Sequence, residues 1–243
     1  MLEFKNCPRR NRPYMGNNTE WIVDIYRKYF NDKHDGFLIE IGVGCTLDWS
    51  MMGTPRILDW ETDEIIRGES HTIELLENGW TGIYIESIHE LIDNEFEPLL
   101  KQLLPKDQLK KIKMVKCGAS DKKRVTMIYQ NESLSVLNES NVDIDEVMPY
   151  NYQGRKLLCD KTSSILKKNK CPYDIDFMLI DVEGHEINVL NGLDFSLHRP
   201  RLLLIEVGIV PINDIQSILP EEYVLIGSDG LNAMFVHSDF YIQ

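Results

Sequence analysis

No stretch of this 243-residue sequence approaches the roughly 18 consecutive apolar residues of a membrane-spanning helix, so no helical span is expected. The opening MLEFKNCPRRNRPY carries basic residues but neither an apolar core nor a cleavage pattern, so no signal peptide is expected. Cysteine is sparse. Cys7, Cys45, Cys117, Cys159 and Cys171 are odd in number, widely spaced and without a CxxC pair. Reduced thiols in a cytoplasmic protein fit this usage, and a zinc site has little support. Positive charge is short as well: 26 Lys and Arg stand against 39 Asp and Glu, a formal charge of −13. The basic runs, Arg9-Arg10, Lys110-Lys111, Lys122-Lys123-Arg124 and Lys167-Lys168, are too brief for a nucleic-acid stripe and read as solvated surface. Repeats and low-complexity tracts are missing, and 15 Gly with 10 Pro is ordinary usage. What remains is 43% apolar, enough for one globular domain over residues 1–243.

The apolar patterning alternates between helix and strand. NNTEWIVDIYRKYF places Trp21, Ile22, Ile25, Tyr26 and Tyr29 at helical spacing, within an N-terminal helical extension over residues 1–35. GFLIEIG, TGIYIES and KIKMVKCG read as strands, separated by HTIELLENGW and an amphipathic stretch over residues 88–104. RVTMIYQ and SLSVL form a small β excursion, followed by a polar loop through Tyr150 and Tyr152. DKTSSILKKN reads as a helix, IDFMLID as a strand, GHEINVLNG as a helix and RLLLIEV as a strand. EYVLIGSDGLNAMFVHS reads as a closing hairpin. This order predicts an α/β fold: a mostly parallel seven-stranded sheet with a C-terminal antiparallel hairpin and helices on both faces.

In such a sheet, ligands bind beyond the carboxyl ends of the strands. Four strand ends stand out. Glu40-Ile41-Gly42-Val43-Gly44 supplies a Gly pair for a tight turn, but Leu47 stands where a dinucleotide fingerprint wants a third glycine. Glu86 closes the second strand, where a carboxylate accepts ribose hydroxyls. Gly118-Ala119-Ser120 reads as a small-residue loop with room for a flat ring, whose edge Ser120 or Asp121 could hydrogen-bond. FMLIDVEGHEINVLNG crowds Asp181, Glu183, His185 and Glu186 around Gly184, where a strand becomes a helix. Helix capping accounts for Glu183 and Glu186 and explains Asp181 and His185 less well. A histidine beside carboxylates is a natural base or metal ligand. Glu206, ending LLLIE, lies beside Asp181 if those strands pair. Converging carboxylates repel, so either one holds a proton or a cation such as Mg²⁺ or Ca²⁺ binds; the metal candidates are Asp181, Glu183 and Glu206.

Together these motifs resemble the FkbM-type methyltransferases. FMLIDVEGHEINVLNGLDFSLHRPRLLLIEV is similar to the family's I-D-V-E-G-x-E-x-x-V-L-x-G run and its following R-P-x-x-x-x-x-E strand. HTIELLENGWTGIYIES and KCGASDKK resemble two further family elements in the correct order. The resemblance spans roughly residues 36–208 and implies a Rossmann-like class I methyltransferase fold using S-adenosylmethionine. It implies O-methylation of a sugar, glycan or natural-product hydroxyl. By position, Glu40, Gly42 and Gly44 would border the methionine part of the cofactor, with Thr72 near the same pocket. Glu86, with Ser87 beside it, would hold the ribose, and Gly118, Ala119 and Ser120 would flank the adenine. Asp181 would lie next to the transferring methyl.

Two departures mark this chain. Thr46 stands where the family's loop has a glycine, and residues 45–70 insert before the HTIELLE helix. That insert, with Trp49, Met51, Met52 and Trp60, reads either as a lid or acceptor wall or as a packed surface loop. Methyl transfer needs in-line alignment and removal of a proton. Asp181, Glu183 and His185 are the candidate catalytic residues, in two versions: His185 as base, or Asp181 with Glu183 on Mg²⁺. The alternatives are an NAD(P)-dependent oxidoreductase and a non-catalytic cofactor-binding module.

Overall fold

The computed structural model describes residues 25, 27–30, 33–43, 72–131, 134–137 and 153–242. Its main sheet has seven strands: β1 (Phe37–Ile41), β2 (Thr81–Glu86), β3 (Lys113–Lys116), β8 (Asp174–Ile180), β9 (Arg199–Glu206), β10 (Tyr223–Ser228) and β11 (Asn232–His237). Their order is β10-β11-β9-β8-β1-β2-β3. Every pair is parallel except the two made by β11, which lies antiparallel between β9 and β10. The α/β fold with its closing hairpin is therefore the fold read from the sequence.

Alternate side chains of these strands enter two apolar layers, as the two-residue period of a strand requires. Leu38, Tyr84, Phe177, Leu179, Leu202 and Leu204 pack on one face. They meet Phe30, helix α1 (Ile73–Glu77) and helix α2, which runs through residues 89–103 with a π-helical segment at Ile92–Phe96. Ile39, Ile41, Ile83, Met178, Ile180 and Leu203 pack on the other face. That layer is closed by α4 (Thr162–Lys168), α5 (Glu186–Gly192) and α6 (Ile212–Ile218). A single turn, α3 (Lys106–Leu109), precedes β3. Central strands buried on both faces must be continuously apolar, which is why IDFMLID and RLLLIEV are.

A second sheet, ordered β4-β7-β5-β6, branches off after β3. It comprises β4 (Gly118–Ser120), β5 (Arg124–Asn131), β6 (Leu134–Leu137) and β7 (Gln153–Lys161). Its inner face, Ile128, Leu157 and Cys159, packs against Ile88 and Leu91 at the start of α2. Two sequence readings change here. Gly118-Ala119-Ser120 is not a loop but a strand paired in parallel with Cys159–Lys161. The stretch ending the polar loop is a nine-residue strand that leads directly into α4. Glycine at 118 suits that strand, because a β-carbon there would meet the Cys159 sulfur at 2.6 Å.

Among the described residues, no helix is long and apolar enough to cross a membrane. Cys117, Cys159 and Cys171 are free thiols. Burial pushes Cys117 up to about 11, so it stays protonated near neutral pH.

Candidate active site

The crevice lies beyond the carboxyl ends of β1, β2 and β8. Two backbone bonds carry the ladder past the strands: Gly42 N–H to the Ile85 carbonyl and Asp181 N–H to the Ile41 carbonyl, both 2.9 Å. The first and fourth motifs of the sequence are thus neighbours. Gly42 takes φ +83°, and a β-carbon there would fall 1.6 Å from the Asp181 carbonyl oxygen. Only glycine lets the β1 turn lie on the β8 turn. Gly44 and the insert at 45–70 fall outside the described residues, as do Tyr150 and Tyr152.

Glu86 is buried, with 5% exposure, and braces this corner. Its Oε2 accepts Val43 N–H at 2.9 Å, and its Oε1 accepts Ile88 N–H at 2.7 Å and the Ser87 hydroxyl at 3.0 Å. A carboxylate offers about four acceptor sites, so these bonds leave one for a ligand hydroxyl. Glu40 sits deeper, inside β1 on the α1 face, at 1% exposure. The Thr72 hydroxyl donates to it and also hydrogen-bonds the Tyr84 hydroxyl at 2.8 Å. Thr72 and Glu40 are therefore neighbours, joined through their side chains.

The 181–186 turn is built by its own acidic residues. Glu183 takes a left-handed φ of +53° and Gly184 follows at +90°. A side chain in that region costs about 1 kcal/mol or more, a strain that functional turns commonly hold. Glu186 folds back to stabilise them: its Oε1 accepts Val182 N–H at 3.0 Å and Gly184 N–H at 3.2 Å. Glu186 thus braces the turn before the helix rather than capping the helix itself, whose start carries no side-chain cap. Burial pushes its carboxyl up to about 7, the charge on Asp181 adds to this, and the backbone donors oppose it.

Glu206 lies beside Asp181, because Ile180 pairs with Ile205 in the β8–β9 ladder. Burial and the charges of Asp181, Glu183 and Glu186 raise Glu206 far above the carboxylate range. A carboxyl so placed favours its protonated form, which relieves the repulsion between converging carboxylates. Among the described residues, no group of three or more His, Cys, Asp or Glu is arranged to hold a metal ion.

His185 departs further from its sequence reading. Its ring is 1% exposed, and Nε2 lies 3.1 Å from the Ser120 hydroxyl. That hydroxyl spends its proton on Asp121 Oδ1 at 3.0 Å and accepts from Arg124 Nη2 at 2.9 Å. Nε2 must therefore be the donor, which makes His185 a neutral ring with its lone pair on Nδ1. Burial, with the Arg124 charge, lowers His185 to about 4, while Asp121 opposes the shift. Burial thus weakens this ring as a proton acceptor, which counts against His185 as the base. Ser120, 0% exposed, has its hydroxyl engaged on three sides, so of the two candidates Asp121 is the one left to meet a ligand edge. Arg124, which organises this corner, carries no sequence signal beyond a basic run.

Three buried acceptors, His185 Nδ1, Glu186 Oε2 and Glu206 Oε2, have no hydrogen-bond donor among the described residues. Acceptors without donors around an acidic turn suit a ligand that brings cationic or donating groups.

The raised Glu186 makes stability depend on pH. Its folded value of about 7 exceeds the ordinary 4.5, so the folded chain binds more protons between the two. Its contribution is complete below the lower value and is lost as pH rises through about 7, a swing on the order of 3 kcal/mol. Buried Glu206 adds to the fall and the lowered His185 opposes it, so Glu186 is isolated by difference: in urea unfolding at about pH 5 and about pH 7.5, Glu186→Gln will lose less stability over the interval than wild type. An unchanged slope in the variant would remove Glu186 from this account.

The sheet order, with ligand space beyond its strand ends, defines a Rossmann-like α/β fold. The model of the methyltransferase FkbM domain matches residues 63–226, and the chain belongs to that family. A solved structure of methyltransferase FkbM from Methylobacillus flagellatus KT is 15% identical, with a TM-score of 0.48 over 84% of this chain. The match covers 44% of that structure's chain, less than half its length. Among curated proteins, no relative matches this chain.

Proposed function

We propose that the protein is an S-adenosylmethionine-dependent O-methyltransferase acting on a hydroxyl of a sugar, glycan or other small natural product. One observation carries the reading: the Gly42 turn lies directly on the Asp181 backbone, joining a backbone cradle to an acidic turn. The family match supports methyl transfer, and the acidic residues of the 181–186 turn suit a cofactor with an ammonium and a sulfonium. When bound, that cofactor supplies an electrophilic methyl group.

The residues divide the remaining tasks. Gly42 and Gly44 border the methionine end, with Glu40 and Thr72 bracing β1 beneath them. Glu86, with Ser87 beside it, offers its remaining acceptor site to the ribose. Gly118, Ala119 and Ser120 flank the adenine, whose edge faces Asp121. Asp181 takes the acceptor's proton. Glu206 donates its held proton to one side of Asp181 and fixes the carboxylate's orientation. Glu183 adds negative charge, so a neutral or cationic acceptor is favoured over an anionic one.

Calorimetry with S-adenosylhomocysteine against NAD tests the cofactor. Micromolar binding of the first and none of the second is expected. The reverse would make the chain a nicotinamide-dependent oxidoreductase. Tight binding without methylation of any sugar or polyol acceptor would leave a cofactor-binding module.

A further inference from the structure

Ser120 joins segments that the sequence keeps far apart. Its carbonyl accepts the Thr162 hydroxyl of α4 at 3.3 Å, and that hydroxyl also reaches the Val189 carbonyl of α5 at 2.9 Å. Gly192 lies flat on the same carbonyl, since a β-carbon there would fall 1.9 Å from the Ser120 oxygen. The Ser120 side chain meets His185 at the start of α5 and Arg124 at the start of β5. Arg124 also pairs with Asp121 at 3.0 Å. The small-residue strand and the acidic turn are thereby one hydrogen-bonded body.

The hydroxyl at the centre of this body is fully committed. The Ser120 hydroxyl has one proton and two lone pairs, and Asp121, Arg124 and His185 take all three. The tautomer of His185 is dictated by that count. A buried bond of this kind fixes the distance between its ends, because breaking it strands buried polar atoms.

We propose that His185 and Ser120, braced by Arg124, form a strut that holds the acidic 181–186 turn at a set distance from the adenine-side strand, so that His185 is a positioning residue for the bound cofactor. This rests on the cofactor reading above. His185 touches neither the methyl group nor the acceptor; it acts through the turn that carries Asp181 and through Ser120.

The test uses the full chain and S-adenosylhomocysteine as the probe. Glutamine carries its amide nitrogen close to where the imidazole Nε2 sits, so His185→Gln keeps the donor. Phenylalanine fills the ring's volume without one. His185→Gln is expected to bind the probe within about three-fold of wild type, and His185→Phe roughly ten-fold more weakly. Ser120→Ala should show a similar loss, and the double variant His185→Phe with Ser120→Ala should lose little more than either. Near-ultraviolet dichroism checks folding; if His185→Phe fails it, His185→Asn, which lacks the reach to Ser120, takes its place. Wild-type affinity in the donor-free variant overturns the strut. So does fully additive loss in the double variant, or a His185→Gln as weak as His185→Phe, which would mean that the ring itself contacts the cofactor. A wild type that binds no probe overturns the cofactor reading instead, and is recognised before any variant is made.

Discussion

Replacing Gly42 with alanine will destabilise the fold by about 3 kcal/mol or more and abolish cofactor binding. Two penalties combine at this position. The φ of +83° carries the ordinary left-handed cost, about 1–2 kcal/mol for a residue with a β-carbon. The larger penalty is steric, because the new methyl would sit 1.6 Å from the Asp181 carbonyl oxygen, a backbone atom that cannot swing aside. Gly230 separates the two effects. It has φ +91° but nothing within 4 Å of its would-be β-carbon, so Gly230→Ala pays the dihedral cost alone. For a chain of this size, thermal unfolding should fall by roughly 6–12 °C for Gly42→Ala and by only a few degrees for Gly230→Ala. Equal shifts in the two variants would show that the β1 turn does not rest on the β8 turn.

Asp181→Asn should leave the fold and S-adenosylhomocysteine affinity nearly intact and lower methyl transfer by about 10²–10⁴-fold. The backbone N–H of residue 181 is what continues the ladder, at 2.9 Å to the Ile41 carbonyl, and asparagine retains it. What asparagine loses is the lone pair that takes the acceptor's proton. Transfer of a labelled methyl group to a panel of neutral sugars and polyols reads the effect. Turnover within about three-fold of wild type would exclude Asp181 as base and move attention to Glu183.

The central strands and most of the crevice were legible because each is a local signal. A run such as DIDFMLI is buried on both faces and cannot alternate, so its continuous apolarity announces a parallel strand. Residues that follow such runs, Gly42, Glu86 and Asp181 among them, fall at the crevice by topology alone. The second sheet was only half legible. In β7, Leu157 and Cys159 turn inward while Leu158 turns out, 51% exposed, which erases the polar–apolar alternation. Helix α6 buries only Ile215 behind Pro211, too little for a helical stripe. The roles of His185 and Glu206 were illegible for another reason. His185 looks like a base until Ser120, distant in sequence, meets its Nε2 and burial with the Arg124 charge disfavours a proton on the ring. Glu206 looks like an ordinary carboxylate until its burial beside Asp181 raises it.

The place of β11 bears on how the chain reaches this state at all. Among the described strands it comes last in sequence, yet it lies inside the sheet, between β9 and β10. During synthesis, β9 emerges with one side already matched to β8 and the other side bare. That bare edge belongs to RPRLLLIE, the kind of apolar strand that recruits unwanted partners. The hairpin that covers it comes only after β10 and the turn at Ser228–Asn232 have been translated. Assembly of this domain is thus gated by its final stretch: a nascent or truncated chain lacking Asn232–His237 is an aggregation hazard, however complete its crevice.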